Sequence, residues 1–178
     1  HEVSFRVGAY HRRLPLTIDP VLVYSTYVGG PETAIYAVAV DAAGSAYIPS
    51  ALSTVTKLSP SGDSVVYTAF VAGTFVSAIA VDAAGSAYLT GAAGDSSFGF
   101  PTVNPFQANH AGSTPNGDAF VTKLSPGGDA LVYSTYLGGG CNELGHGIAV
   151  DRSGYAYVAG ETGGDPVFNQ TCPAAGAA

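Results

Sequence analysis

Positive charge is scarce in this chain of 178 residues, which has six Lys and Arg against 13 Asp and Glu and a formal net charge of -7. Nucleic-acid binding requires a basic surface that neutralises phosphates, so DNA and RNA are poor candidate partners. Only 11% of the residues are charged, whereas 47% are hydrophobic. That balance is typical of a folded chain and excludes a highly charged disordered one.

Long apolar segments are also lacking, since no run approaches the roughly 18 residues of a membrane-spanning helix, and we predict no membrane insertion. Met and Trp are absent. Residue 1 is therefore not a translation start, and residues 1–5 have no hydrophobic signal core, which predicts a mature or excised piece. The two cysteines and the Asn-X-Thr tripeptide at Asn169 are compatible with an oxidising compartment, and we expect a secreted or cell-surface protein.

Internal repeats are the strongest feature of the sequence, and they are considered first because they decide the fold. Residues 40–47 recur identically at 81–88 and in varied form at 150–157. Two further elements recur in an unchanged cyclic order, at 55–60 and 121–126, and at 23–27, 66–70 and 132–136. The interval of 43 residues from Tyr24 to Tyr67 matches a four-stranded propeller blade.

Runs rich in Val, Ile, Tyr and Thr between Gly, Pro, Asp and Ser predict four strands per unit, labelled A to D. The predicted ranges are 37–40, 78–81 and 147–150 for A; 46–49, 87–91 and 156–160 for B; 54–58 and 119–124 for C; and 21–28, 65–71 and 131–137 for D. Strand D is apolar on both faces, which favours a blade packed between neighbours over an isolated sheet. We therefore predict an all-β fold of four-stranded antiparallel β-propeller blades, about two and a half to three of them, in an incomplete ring. A two-sheet sandwich is the alternative.

A family resemblance rests on residues 120–139, followed by 147–151 and 155–160, in which three elements recur in one order. This stretch resembles the bacterial beta-propeller repeat known as the SBBP repeat, and the resemblance extends over about residues 20–163. It implies a propeller module of large secreted or surface proteins, usually with no established catalytic activity. We expect residues 1–19 to be the end of a preceding domain or completing strands, and 20–178 to form the blades, with a long insertion at 92–117.

The predicted strands do not complete a ring, because propellers typically close with 4 to 8 blades. One interpretation is a piece of a longer chain whose other blades lie elsewhere. The other is head-to-tail self-assembly, in which the A and B strands at the C-terminal end meet the D strand near the N-terminal end of another copy, forming a ring or a filament. The expected partners are further copies or missing blades.

Candidate binding residues should lie on the rim that carries the B-to-C and D-to-A links, at 29–35, 73–76, 92–117 and 138–146. Cys141 and Cys172 belong to one blade there, and we predict a disulfide between them. Asn169 is a possible glycosylation site. His110, His146, Glu143 and Asp95 could offer metal ligands, but no recognised ligand spacing supports a metal site, and we predict none.

Two repeated residue types have a structural interpretation. The aspartates Asp41, Asp82 and Asp151 begin A-to-B turns and are expected to cap them rather than bind Ca²⁺. The repeated tyrosines recur at strand positions and are expected to pack between blades rather than form a carbohydrate platform. No nucleophile elbow or pair of catalytic carboxylates can be placed, so we predict no enzyme and no cofactor. The predicted function is a non-catalytic structural or interaction module; the alternatives are a ligand- or carbohydrate-binding propeller and, last, a propeller lyase or glycosidase.

Overall fold

Strands account for all the regular secondary structure in the computed structural model, which describes residues 24–29, 34–51, 53–94, 99–111 and 117–163. These ranges contain ten strands and no helix. The strands are β1 (Ala39–Val40), β2 (Ala46–Pro49), β3 (Thr54–Leu58), β4 (Val65–Phe70), β5 (Thr74–Val81), β6 (Ala87–Ala93), β7 (Asp118–Leu124), β8 (Leu131–Leu137), β9 (Asn142–Val150) and β10 (Ala156–Gly163). None of the described residues forms a helix long and apolar enough to cross a membrane.

The strands form three antiparallel sheets in which sequence neighbours are spatial neighbours. Strands β1 to β4 form blade 1, β5 to β8 form blade 2, and β9 and β10 form half-blade 3. The first strand of blade 2 lies against the first strands of both other sheets, as expected for strands that surround a propeller axis. The predicted all-β fold of incomplete propeller blades is confirmed.

The main hydrophobic core lies between blades 1 and 2, because each blade presents an apolar face to the next. Both blades contribute fully or almost fully buried side chains; blade 1 and the link after it supply Tyr47, Val55, Ala69 and Val71, and blade 2 supplies Ile79, Ala87, Leu89, Phe120 and Leu124. Strand D is less buried than its two apolar faces suggested, because Val65, Val66 and Phe70 of β4 are exposed and Ala69 is the buried residue of that strand.

Strand A is longer than predicted in the second and third units. The prediction began it at residues 78 and 147, but β5 begins at Thr74 and β9 at Asn142. Thr74 pairs with Ala93, and Asn142 pairs with Gly163, so both A strands lengthen together with extended B strands. Much of the predicted D-to-A links at 73–76 and 138–146 is therefore sheet, and less loop remains on the rim.

The predicted D strand at 21–28 is not a strand in its described part. Residues 24–29 follow an extended path without ladder pairing, whereas the equivalent residues of β4 and β8 are paired with a C strand. An outer strand needs a neighbour to hydrogen-bond, and the described residues provide no C strand beside this segment. The predicted N-terminal region, residues 1–19, lies outside the described residues.

Candidate interaction site: the blade junctions

An Asp organises the first turn of each unit, which joins strand A to strand B. The Oδ1 atom of Asp41 accepts hydrogen bonds from the backbone N–H groups of Ala43 and Ser45, at 3.0 and 2.9 Å. Asp82 and Asp151 make the same pair of contacts in the other units. The predicted turn-capping role of these aspartates is confirmed, and it leaves the second carboxylate oxygen free for a further partner.

The partner of that second oxygen, the Tyr47 hydroxyl, connects blade 1 to blade 2. The Tyr47 hydroxyl lies 3.1 Å from Asp41 Oδ2 and 3.0 Å from the carbonyl oxygen of Gly85, which belongs to the first turn of blade 2. Lys57, from β3, lies 3.2 Å from Asp41 Oδ2 and places its amine 4.6 Å from the centre of the Tyr47 ring. Asp41, Tyr47 and Lys57 thus hold the first turn of the following blade, and we call such a group of Asp, Tyr and Lys the clamp.

The junction between blade 2 and half-blade 3 repeats this arrangement. The Tyr88 hydroxyl lies 3.0 Å from Asp82 Oδ2 and 3.2 Å from the carbonyl oxygen of Gly154. The Lys123 amine lies 3.3 Å from Asp82 Oδ2 and 4.7 Å from the centre of the Tyr88 ring. Two successive junctions with matching distances identify a repeated docking site in this fold.

The charges at the junction stabilise one another despite partial burial. For Asp41, desolvation favours the neutral acid, but the Ser45 N–H, Lys57 and Tyr47 outweigh it and lower the pKa of the carboxyl below 3.8. For Lys57, burial alone would lower the pKa, but Tyr47 and Asp41 hold it above 10.5. Both groups therefore remain charged over the neutral range, and the clamp persists there.

A second contact joins the outer part of each blade to the next. A Cβ atom on Gly128 would overlap the ring of Tyr67, so the ring lies directly on the C-to-D turn of blade 2. Burial, with smaller contributions from Tyr47 and Asp41, raises the pKa of Tyr67 to about 12. Tyr24 packs on Gly62 in the same way, although its segment is not a strand. The predicted packing role of the tyrosines is correct at these positions.

One half of a junction is exposed at each end of the described structure. In half-blade 3, the Tyr157 hydroxyl lies 3.1 Å from Asp151 Oδ2, but the side chain is 60% exposed. In blade 1, Val38 is 62% exposed, although its equivalent in blade 2, Ile79, is only 8% exposed. Val38 lines a cleft of about 400 Å³ between blade 1 and residues 24–28.

The insertion does not remain on the rim as predicted. Residues 92 and 93 belong to β6, and residues 99–111 run along the outer edge of blade 2, where Val103 bridges Ser134 of β8. Gln107 accepts the backbone N–H of Tyr136 and receives a hydrogen bond from Gly138. The insertion covers β8 because its Phe100 and Val103 can bury apolar surface there, which a solvated rim loop would leave exposed.

The candidate metal ligands are not brought together. His110 is buried beside Asp118, with His110 Nε2 3.3 Å from Asp118 Oδ1. His146 lies 3.4 Å from Glu161, and Glu143 accepts a hydrogen bond from Thr162. Within the described ranges, no group of three His, Cys, Asp or Glu side chains could hold a metal ion. Asp95 lies outside the described residues.

The other predicted site residues fall largely outside the described structure. Cys141 is buried just before β9, whereas Cys172 and Asn169 lie outside the described residues. The disulfide and the glycosylation site therefore stay predictions.

The sequence interpretation missed the junction lysines. Lys57 and Lys123 occupy the same position in the repeated Thr-Lys-Leu-Ser-Pro element, in a chain with only six Lys and Arg. Repetition of a scarce residue type was the available signal.

One family model matches part of the chain. Residues 132–166 match the family model described as SBBP, beta-propeller repeat. No curated protein matches the chain. A crystal structure of a protein of unknown function from Bacteroides caccae is similar at 14% identity and a TM-score of 0.34, over 75% of this chain and 55% of that one. The chain thus spans about half the length of that protein. The family match covers β9, β10 and all of β8 except its first residue.

Proposed function

We propose that this chain is a non-catalytic structural module of a secreted or surface protein, and that it self-associates head-to-tail through its open blade faces. The occupant of each open face is a second copy of the chain. The observation that carries the proposal is the repeated junction, which occurs twice in full and is exposed as one half at each end. The SBBP repeat is a structural repeat and not a known enzyme family, which supports the non-catalytic part.

The polar half of the proposed contact is complementary between copies. Tyr157 and Asp151 reproduce the Tyr and Asp of the internal junctions. Gly44 reproduces the acceptor, because its φ of 90° is close to the 84° of Gly85 and the 83° of Gly154. Among the described residues, only Pro60 approaches the position of a Gly44 Cβ, whereas Gly85 is also approached by a Tyr hydroxyl and a Lys amine. The Gly44 turn is therefore accessible to Tyr157 of a second copy.

The apolar half of the proposed contact also reproduces an internal junction. The blade 2 residues that face blade 1 are buried in the core, and their blade 1 equivalents, which line the cleft, are Val38, Ala46, Ile48 and Leu58. Val38 is 62% exposed and Ile48 is half-buried, so these two would gain burial against a second copy, at roughly 25 cal/mol per Å² of apolar surface, whereas Ala46 and Leu58 are already buried. Half-blade 3 has no equivalent of Lys57 or Lys123 in its described strands, so the contact between copies should be weaker than an internal junction.

The association is heterologous, because one face of a copy meets a different face of the next. Such a contact closes into a ring when the rotation permits and otherwise continues as a filament. Two copies of about three blades each would form a six-bladed ring, which lies within the range of known propellers.

Sedimentation velocity across a concentration series tests the proposal. The unmodified chain should form dimers or larger particles as concentration rises, and Val38→Glu should remain monomeric because it places a charge on the apolar face. Val66→Glu is the matched control, since Val66 is 56% exposed on the outer strand of the same blade. Circular dichroism would verify that both variants fold. A chain that is monomeric at every concentration, or equal association of both variants, would contradict the proposal.

A further inference from the structure

Strand β8 carries an added segment on its outer edge, supplied by the insertion. Val103 donates its N–H to the Ser134 carbonyl at 3.0 Å and accepts the Ser134 N–H at 2.8 Å. Tyr136 donates its N–H to the Gln107 carbonyl at 3.2 Å. The Asn104 side-chain amide donates to the Val132 carbonyl at 3.1 Å. The edge of blade 2 is thus occupied by an irregular segment of the chain itself, which pairs with β8 through one β-bridge and further hydrogen bonds.

Aromatic packing fixes this segment in place. The rings of Phe100 and Tyr136 have centroids 4.6 Å apart, and His110 approaches the same Tyr136 ring at 5.9 Å. Tyr136 is consequently only 2% exposed. The covering segment, residues 99–111, contains no Asp, Glu, Lys or Arg. The outer edge of β8 therefore accepts an uncharged segment that carries aromatic side chains.

Strand β4 presents the same edge without a cover. Thr68 pairs with Thr56 on β3 as Ser134 pairs with Thr122 on β7, and Phe70 occupies the position of Tyr136. Phe70 is 68% exposed. In the described part of the chain, the outward backbone groups of Thr68 and Phe70 have no hydrogen-bond partner. A bare edge with an exposed ring matches the surface that β8 buries.

We propose that the outer edge of β4 binds an uncharged peptide segment that carries an aromatic side chain, through backbone hydrogen bonds along the strand edge. Backbone hydrogen bonds to Thr68 and Phe70 supply the register, and stacking on the Phe70 ring supplies the selectivity. This site lies on the outer edge of blade 1, whereas the proposed self-association uses the blade faces. It therefore stands or falls separately from that function.

A synthetic, fluorescently labelled peptide with the sequence of residues 99–111 is the probe, and its anisotropy is followed while the full chain is added. Saturable binding is expected. Thr68→Pro should weaken it at least about tenfold, because proline removes the outward N–H and a strand edge tolerates it in the folded chain. Phe70→Ala should also weaken binding, and it keeps the test valid if Thr68→Pro does not fold. Phe106→Ala, which removes an exposed ring away from β4, is the matched control and should bind unchanged.

Hydrogen exchange with and without the peptide locates the binding site. Added protection at the amides of Thr68 and Phe70 is the expected result. Protection at Ser134 and Tyr136 instead would mean that the peptide displaces the insertion from β8, and it would overturn the proposal. Absence of saturable binding, or binding that both β4 variants leave unchanged, would overturn it as well. So would loss of particle size in Thr68→Pro without peptide binding, because this would assign the edge to pairing between copies.

Discussion

At the scale of single residues, the tyrosine of strand B performs two tasks that its sequence position alone does not reveal. Its ring fills the space between blades, and its hydroxyl reaches both its own Asp and the backbone of the next blade. A buried hydroxyl without such partners would destabilise the fold. Tyr47 and Tyr88 pack between blades as predicted, whereas Tyr155 and Tyr157 are exposed. The hydroxyl contacts depend on how close the next turn lies, and sequence spacing does not contain that distance.

Removing one Tyr hydroxyl at a time compares the full junction at Tyr88 with the exposed half-junction at Tyr157. Tyr88→Phe should lower the free energy of unfolding by about 1–2 kcal/mol, because it removes the hydroxyl that lies between partly buried acceptors on Asp82 and Gly154. Tyr157→Phe is the matched control at the equivalent, exposed position, where we expect a loss below about 0.5 kcal/mol.

Urea unfolding followed by circular dichroism, at protein concentrations low enough to avoid association, measures both values. Equal losses in the two variants would show that the contact with the next blade contributes nothing to stability.

At the scale of elements, the strands that lie between turn signals were predictable, and those that depend on distant partners were not. Strands β2, β3 and β8 have the predicted bounds because Gly, Pro and Asp delimit them. The extension of β5 back to Thr74 depends on its pairing with Ala93, and no local signal marks it. The path of the insertion along β8 depended in the same way on tertiary packing.

The C-to-D turn offers a test of packing between elements. Gly128 and Gly44 both have positive φ, at 73° and 90°, so alanine is strained at either position. At Gly128 a Cβ would in addition overlap the Tyr67 ring, whereas at Gly44 it would be in ordinary contact with Pro60. Gly44→Ala should therefore cost about 1–2 kcal/mol from the backbone alone, and Gly128→Ala should cost at least about 1 kcal/mol more.

Thermal and urea unfolding of the two variants, compared with the unmodified chain, gives the difference. If Gly44→Ala proved as destabilising as Gly128→Ala, the Tyr67 ring would not be a rigid part of the junction.

At the scale of the whole molecule, stability depends on contacts between blades, because the main core lies between blades 1 and 2 and not inside either. Half-blade 3 has two strands in its described part and exposes Tyr155 and Tyr157. A two-stranded sheet is marginal without further support. An additional covalent restraint in this region would therefore have a large effect.

The predicted disulfide would provide that restraint. If Cys141 and Cys172 are bonded, Cys172→Ser should lower the free energy of unfolding by about 2–4 kcal/mol, since the bond restricts the unfolded chain. It also leaves the buried Cys141 unchanged. A reductant should destabilise the unmodified chain by a similar amount and leave the variant unaffected.

Thiol titration of the unfolded, non-reduced protein provides the direct measurement. Two free thiols per chain would contradict the prediction, and none would support it.

The clamp formed by Asp, Tyr and Lys also affects how such a molecule can grow. Each junction involves only adjacent units and ends on the carbonyl of a glycine with positive φ, which the repeated first turn supplies in every unit. A unit of this kind can be duplicated, deleted or exchanged for its neighbour while every docking contact is preserved. The number of blades is then set by the small rotation at each junction, as curvature is set in other repeat proteins. Gene duplication can therefore lengthen the array without redesigning any interface.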